Sequence, residues 1–326
     1  MTTKKILTSV CLCLCMTFVV IETEAQIPAL RPKIGLVFGG GGAKGAAEVG
    51  VLKVIEELGI RPDYIAGTSI GAIVGGLYAV GFNSAQLEEL FRSQEWLTLL
   101  TDRNTNLKNQ PLAEEDGVTY VFGFPISRKK KTKDEPGLVG ALNGDKISEL
   151  LEQKTGIKGE IDFNKLPIPF RCVAVDINGP TEVVISKGNL AKAMRASMAI
   201  PGAFKPVKWG GMTLVDGGMM NNLPVDVVRD MGAEFVIAID LSQEDHKDRD
   251  FSLEETFGIG GILDWLVSRP DWKKYNANRE AADIIIRPNL DGYGVESFGA
   301  KNMVRMMEIG EKAARKEVQK LLKVNK

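Results

Sequence analysis

Between residues 33 and 80 the sequence runs twice from a short apolar stretch, through glycine-rich punctuation, into a helical apolar pattern. KIGLVF (33–38) leads into GGGGAKG (39–45) and AAEVGVLKVIEELG (46–59), and DYIAG (63–67) leads into IGAIVGGLYAVG (70–81). Short apolar runs bounded by glycine read as buried strands, and apolar residues three and four apart read as helices. Two such units in series commit the chain to parallel strands joined by crossover helices. The second helix is small and apolar all round, as a helix pressed against a sheet must be. The expected fold class is therefore α/β, with a mostly parallel central sheet and helices on both faces.

Regular patterns resume after a polar interval. FRCVAVDI (170–177), TEVVIS (181–186), MTLVDGG (212–218), EFVIAID (234–240) and ADIIIRP (282–288) read as strands, NLAKAMRASMAI (189–200) and PVDVVRDMG (224–232) as helices. A final amphipathic helix over 299–323 carries Met303, Met307, Gly310, Ala314, Val318 and Leu321 on one stripe, expected to pack on the domain rather than on a membrane. The polar interval, 101–143, is expected to be a hairpin or flap. Its basic run, 128–133, is either a solvated turn or a contact for anionic headgroups, each cation then contributing about 1 kcal/mol. No repeat or linker divides residues 26–326, which are expected to form one domain.

The first 25 residues place Lys4 and Lys5 before an apolar stretch, Ile6–Ile21, that ends in the small-x-small site Thr23-Glu24-Ala25. This is the pattern of a cleaved secretory signal, and the apolar stretch is short for a membrane anchor, which needs about 20 residues. Lipidation at Cys11, Cys13 or Cys15 lacks the small preceding residue such signals use. The expected location is exported, periplasmic or secreted, with membrane association open. Cys172 is then the one cysteine left, so no intrachain disulfide can form. With 41 basic and 42 acidic side chains the net charge is -1, which gives no field for nucleic acid. One histidine in 326 residues leaves no His-rich metal site, and no metal or cofactor is expected.

The glycines admit two readings. Gly40-x-Gly42-x-x-Gly45 fits a dinucleotide fingerprint, with Asp63 lying 18 residues past the last glycine. The ribose-binding acid, however, belongs at the end of the second strand, and Asp63 stands at its start. That strand ends instead in Gly67-Thr68-Ser69-Ile70-Gly71, a glycine-flanked serine between strand and helix, which is the nucleophile-elbow arrangement. Read that way, the run Gly39–Gly42 supplies unobstructed backbone N–H groups at a helix N-terminus, where a developing oxyanion would be held. Both glycine features then belong to one site.

A nucleophilic serine needs a base. His246, in the charged run SQEDHKDRD, completes a Ser69, Asp216, His246 order, but its neighbours read as a solvated loop. Asp216, in TLVDGGMMNNLPVDV, ends an apolar strand and is followed by Gly217 and Gly218. In a chain without a usable histidine it becomes the preferred base, which needs direct contact with Ser69 and partial desolvation to work.

Taken in order, GGGGAKG (39–45), GTSIG (67–71), RASMAIPGAFKPV (195–207) and DGGMMNNLPVDV (216–227) resemble the bacterial patatin-like phospholipases over residues 33–242. The resemblance implies a patatin-like α/β/α fold and a lipid acyl hydrolase (phospholipase A, lysophospholipase or carboxylesterase). It implies Ser69 as nucleophile, Asp216 as proton acceptor, and Gly40, Gly41 and Gly42 as oxyanion hole, with Gly45, Gly67, Gly71, Gly217 and Gly218 as motif glycines. It also implies a phospholipid or other acyl-ester lipid substrate and peripheral membrane contact. Some relatives carry a transport module and an outer-membrane barrel after this domain, whereas this sequence stops at 326, from which a soluble or peripherally bound enzyme is expected. Lys44 either steadies the loop or meets a headgroup phosphate, and Met198, Ile200, Pro201 and Phe204 either line an acyl pocket or pack in the core. The rival functions are an NAD(P)-binding oxidoreductase and a catalytically silent lipid-binding protein.

Overall fold

Ile34–Phe38 form β1, and each residue is buried because the strand is covered on both faces. Successive side chains alternate: Ile34, Leu36 and Phe38 enter the larger apolar cluster and Val37 the smaller one across the sheet. The computed structural model describes residues 31–101, 114–115, 118–119, 142–242 and 272–323. The basic run at 128–133, His246 and the N-terminal 25 residues lie outside them.

From β1 the chain crosses through α1 (Ala46–Glu57) to β2 (Tyr64–Thr68), then α2 (Ile70–Ala79) and α3 (Ser84–Ser93). After α4 (Asp145–Thr155) come β3 (Phe170–Asp176), β4 (Thr181–Ile185), α5 (Leu190–Ser197), β5 (Val207–Trp209) and β6 (Met212–Asp216). The chain then forms α6 (Val225–Asp230), β7 (Phe235–Ile239), α7 (Trp272–Ala281), β8 (Ile284–Ile286) and α8 (Ala300–Lys316). Together the strands make an eight-stranded sheet, ordered β8-β7-β1-β2-β3-β6-β5, with β4 paired to β3.

The five strands from β8 to β3 are parallel, joined by helices as the sequence pattern requires. The other three, β4, β5 and β6, pair antiparallel. The cause is connection length: β5 and β6 are separated only by Gly210 and Gly211, both at positive φ, which makes a tight hairpin and leaves no room for a crossover. In the 101–143 interval, Glu114–Glu115 and Val118–Thr119 pair antiparallel, as a hairpin does.

Helices α1, α2, α3, α5 and α8 contribute to the larger cluster, and α6 with Tyr275 of α7 to the smaller, so both faces of the sheet are covered. The stripe on α8 packs on the domain: Met303, Met307, Gly310 and Ala314 are buried, and Leu321 follows in the last turn. Contact between α1 and α8 is backbone to backbone, since a Cβ added at Gly310 would collide with the Ala47 carbonyl and one at Gly50 with the Met307 carbonyl. Farther along, Arg315 pairs with Glu57 at 2.9 Å, so the two helices run in the same sense, and the segment leading into α8 reaches the glycine loop at Val295.

Candidate active site

Strand register brings the serine and the aspartate together. Along β3, residues Phe170–Val173 pair with β2 in parallel, and Ala174–Asp176 pair with β6 antiparallel. The opposite edge of β3 is occupied by β4 from Cys172 to Asp176. β2 and β6 therefore lie on the same edge of β3 and run toward one another. Thr68 faces Val173 and Asp216 faces Ala174, so the residue after Thr68 meets Asp216 head on.

That residue is Ser69, whose φ of 55° is the one positive value at a non-glycine among the described residues. A side chain held there costs about 1–3 kcal/mol and persists only where the surroundings enforce it. The enforcement is the strand-to-helix elbow. A Cβ at Gly67 would collide with the Gly71 carbonyl, and one at Gly71 with the carbonyls of Phe38 and Gly39, so both flanking positions need glycine for β1, β2 and α2 to close together.

Ser69 Oγ donates to Asp216 Oδ2 at 2.7 Å. The second carboxylate oxygen, Oδ1, accepts the Gly218 N–H at 2.7 Å, which fixes the rotamer. Both side chains are buried, each 6% exposed. Burial pushes the Asp216 carboxyl up to about 6, partly offset by the Gly218 N–H and the Ser69 hydroxyl. The Ser69 N–H is not free, because it donates to Ser197 Oγ at 2.9 Å, and that hydroxyl donates to the Val173 carbonyl at 2.5 Å.

The glycine loop follows β1 beside this pair, and a Cβ at Gly40 would lie 3.3 Å from Ser69 Cβ. Its amides divide by partner. Gly39 donates to the Ile239 carbonyl at 3.1 Å, Gly40 to the Asn222 carbonyl at 3.1 Å, and Ala43 to the Val295 carbonyl at 2.8 Å. The N–H groups of Gly41 and Gly42 have no acceptor among the described residues. The expectation of three loop donors thus narrows to two, because Gly40 is committed to holding the loop. Gly45 packs beneath Ile70, Gly217 against the Val173 carbonyl, and Lys44 sits half-buried in the 3-10 turn Gly42–Gly45.

Asp63 lies at the other end of the sheet from the loop, where its Oδ2 accepts the Ile34 N–H at 2.7 Å. It cannot hold a ribose near Gly45. Met198 and Phe204 belong to the larger core cluster, with the Arg195 guanidinium 4.7 Å from the Phe204 ring, while Pro201 is buried and Ile200 half-buried.

Three residues around the site had not been singled out from the sequence. Ser197 and Asn222 sit within the motif runs 195–207 and 216–227, but nothing in spacing marks their contacts. Glu48, in the first turn of α1, is fully buried with neither carboxyl oxygen reaching a hydrogen-bond partner. Its pKa is held well above the usual carboxylate range by burial, with a smaller opposing effect from the backbone at Gly39.

An α/β sheet that presents an elbow serine against a strand-end aspartate, beside a loop with two amides that meet no acceptor among the described residues, defines a serine-aspartate class of site. The chain belongs to the patatin-like phospholipase family, whose model matches residues 36–229. It is similar to patatin-like phospholipase domain-containing protein 6 of Homo sapiens, 32% identical over 245 residues, which are 74% of this chain and 15% of that protein. It is also similar to an uncharacterized NTE family protein of Mycobacterium bovis, 32% identical over 65% of this chain and 49% of that protein. Among solved structures, the type III effector ExoU aligns with 89% of this chain and 53% of its own at 14% identity and a TM-score of 0.46. The chain thus spans only about a seventh of the length of the first of these relatives.

Proposed function

We propose that this protein is a lipid acyl hydrolase of the phospholipase A, lysophospholipase or carboxylesterase type, acting through a Ser69-Asp216 dyad. The observation that carries the reading is the 2.7 Å hydrogen bond from Ser69 Oγ to a buried Asp216 carboxylate. An aspartate with a pKa near 6 is ionised at neutral pH yet basic enough to share a serine proton as attack begins.

In the proposed reaction Ser69 Oγ attacks the ester carbonyl carbon while Asp216 takes its proton. The carbonyl oxygen becomes an oxyanion held by the Gly41 and Gly42 amides, each such donor being worth about 2.7–4 kcal/mol. Ser69's own amide is spent on Ser197, so the loop must supply these donors. Collapse breaks the bond to the lyso-lipid or alcohol, which leaves with the proton from Asp216, and an acyl-serine remains. A water then gives its proton to Asp216 and its oxygen to the acyl carbon. Breakdown returns the proton to Ser69 Oγ and releases the fatty acid. The same reading takes a phospholipid or related acyl ester as substrate, with export guided by residues 1–25, so that the mature chain would start at Gln26.

The test is Ser69→Ala. Release of fatty acid from mixed phospholipid vesicles should fall to background, and a fluorophosphonate should label the native protein at Ser69 alone. Wild-type turnover by Ser69→Ala refutes the mechanism.

A further inference from the structure

Asn222 ties the two halves of the site together, and both ends of the residue are used. Its carbonyl accepts the Gly40 N–H at 3.1 Å and its side-chain Nδ2 donates to the Gly40 carbonyl at 3.2 Å. It is 3% exposed, so these bonds form away from competing water. The neighbouring Asn221 carbonyl accepts from Thr68 Oγ1 at 2.8 Å, directly before the serine. One short segment, five and six residues past Asp216, is thus fastened both to the end of β2 and to the glycine loop.

The side-chain bond has a directional consequence. In a trans peptide the C=O and the following N–H point in opposite directions. Holding the Gly40 carbonyl toward Asn222 therefore aims the Gly41 N–H away from Asn222, and that N–H meets no acceptor among the described residues. Residues 39–42 are all glycine, so the backbone itself offers little resistance to rotation of that peptide plane. Nothing else among the described residues hydrogen-bonds the Gly40 carbonyl. A side chain at position 40 would strike Asn222 Oδ1, so the close approach excludes any larger residue there.

We infer that Asn222 is a positioning residue that sets the orientation of the Gly40-Gly41 peptide and so keeps the Gly41 amide aimed at the developing oxyanion. The inference rests on the dyad reading above. It assigns Asn222 no contact with substrate and no part in proton transfer.

Two variants test it. Asn222→Ala removes the donor, and Asn222→Asp keeps the shape while replacing the donor with an acceptor. Active sites are counted by fluorophosphonate labelling run to completion, and kcat for a p-nitrophenyl ester is expressed per labelled site. This normalises for any misfolded fraction. The expected result is a fall in kcat of about 10- to 100-fold in both variants, smaller than the loss of a whole oxyanion donor, with KM within about twofold. In Asn222→Ala, which adds no charge, the pH at which activity is half-lost should stay at its wild-type value, since Asp216 is untouched. Wild-type kcat per labelled site in Asn222→Asp overturns the inference, as does a loss confined to KM or a lower count of labelled sites at normal kcat. If Ser69→Ala were itself active, the dyad reading would fail first, and that outcome is distinct from any of these.

Discussion

Replacing Asp216 with asparagine should abolish activity and stabilise the protein, and the size of the second effect follows from the site. The native carboxyl has its pKa raised from 3.8 to about 6, chiefly by burial. Because the folded value is the higher, the ionised form is penalised in the native state. The penalty is absent below the unfolded value near 3.8, grows as pH rises toward 6, and is fully present above it. A difference of this size at about 1.36 kcal/mol per pH unit amounts to roughly 3 kcal/mol at pH 7.5. The asparagine side chain carries no charge to desolvate. It still offers an oxygen to the Gly218 N–H and an amide to Ser69 Oγ, so packing is conserved. Urea unfolding of wild type and Asp216→Asn at several pH values reads the effect directly, with equal m-values as the control. The variant should be more stable by about 3 kcal/mol at pH 7.5, and the gap should close as pH falls to 4. In the wild type, kcat/KM should decline below pH 6, to about a tenth of its plateau at pH 5. A variant no more stable than wild type at pH 7.5, or a gap independent of pH, would refute the assignment of a buried, charged base.

Glu48→Gln should also stabilise, since it replaces a buried carboxyl without a partner by a group that never ionises. The gain should grow by up to about 1.4 kcal/mol per pH unit as pH rises from 4.5 toward the raised native pKa, and a pH-independent difference in chemical denaturation would count against it. Gly310→Val should destabilise by about 1–3 kcal/mol, because any side chain there strikes the Ala47 carbonyl and forces α8 away from α1. Unchanged urea midpoints would show that the two helices are not in backbone contact.

The parallel half of the sheet was readable because each strand is a short apolar run closed by glycine and followed by helical periodicity. The residues that meet at the site were readable for the same reason, since Ser69 and Asp216 both end apolar runs and both stand next to glycine. What was hidden depends on contacts distant in the chain. The antiparallel margin formed by β4, β5 and β6 follows from loop lengths that periodicity does not weigh. Glu48 stands among apolar residues of a helix, where a carboxylate ordinarily marks the solvent side, but every residue of α1 from Ala46 to Leu52 is buried and the Gly39 backbone lies beside its carboxyl. Asn222 belongs to a recognisable run, but its partner lies 182 residues away, and no local signal links them. Helix α7 buries only Tyr275 and Asn278, too little apolar surface to produce a periodic stripe.

The shared edge of β3 acts as a ruler for the site. The separation of Ser69 and Asp216 is set by two registers counted along one strand, and not by their sequence separation of 147. A slip of one residue in either pairing would displace its partner by about 3.3 Å and turn the side chain to the opposite face of the sheet. The intervening segment can therefore lengthen or shorten while the Ser69–Asp216 distance stays constant, because that distance depends on the edge of β3 and not on the loops around it.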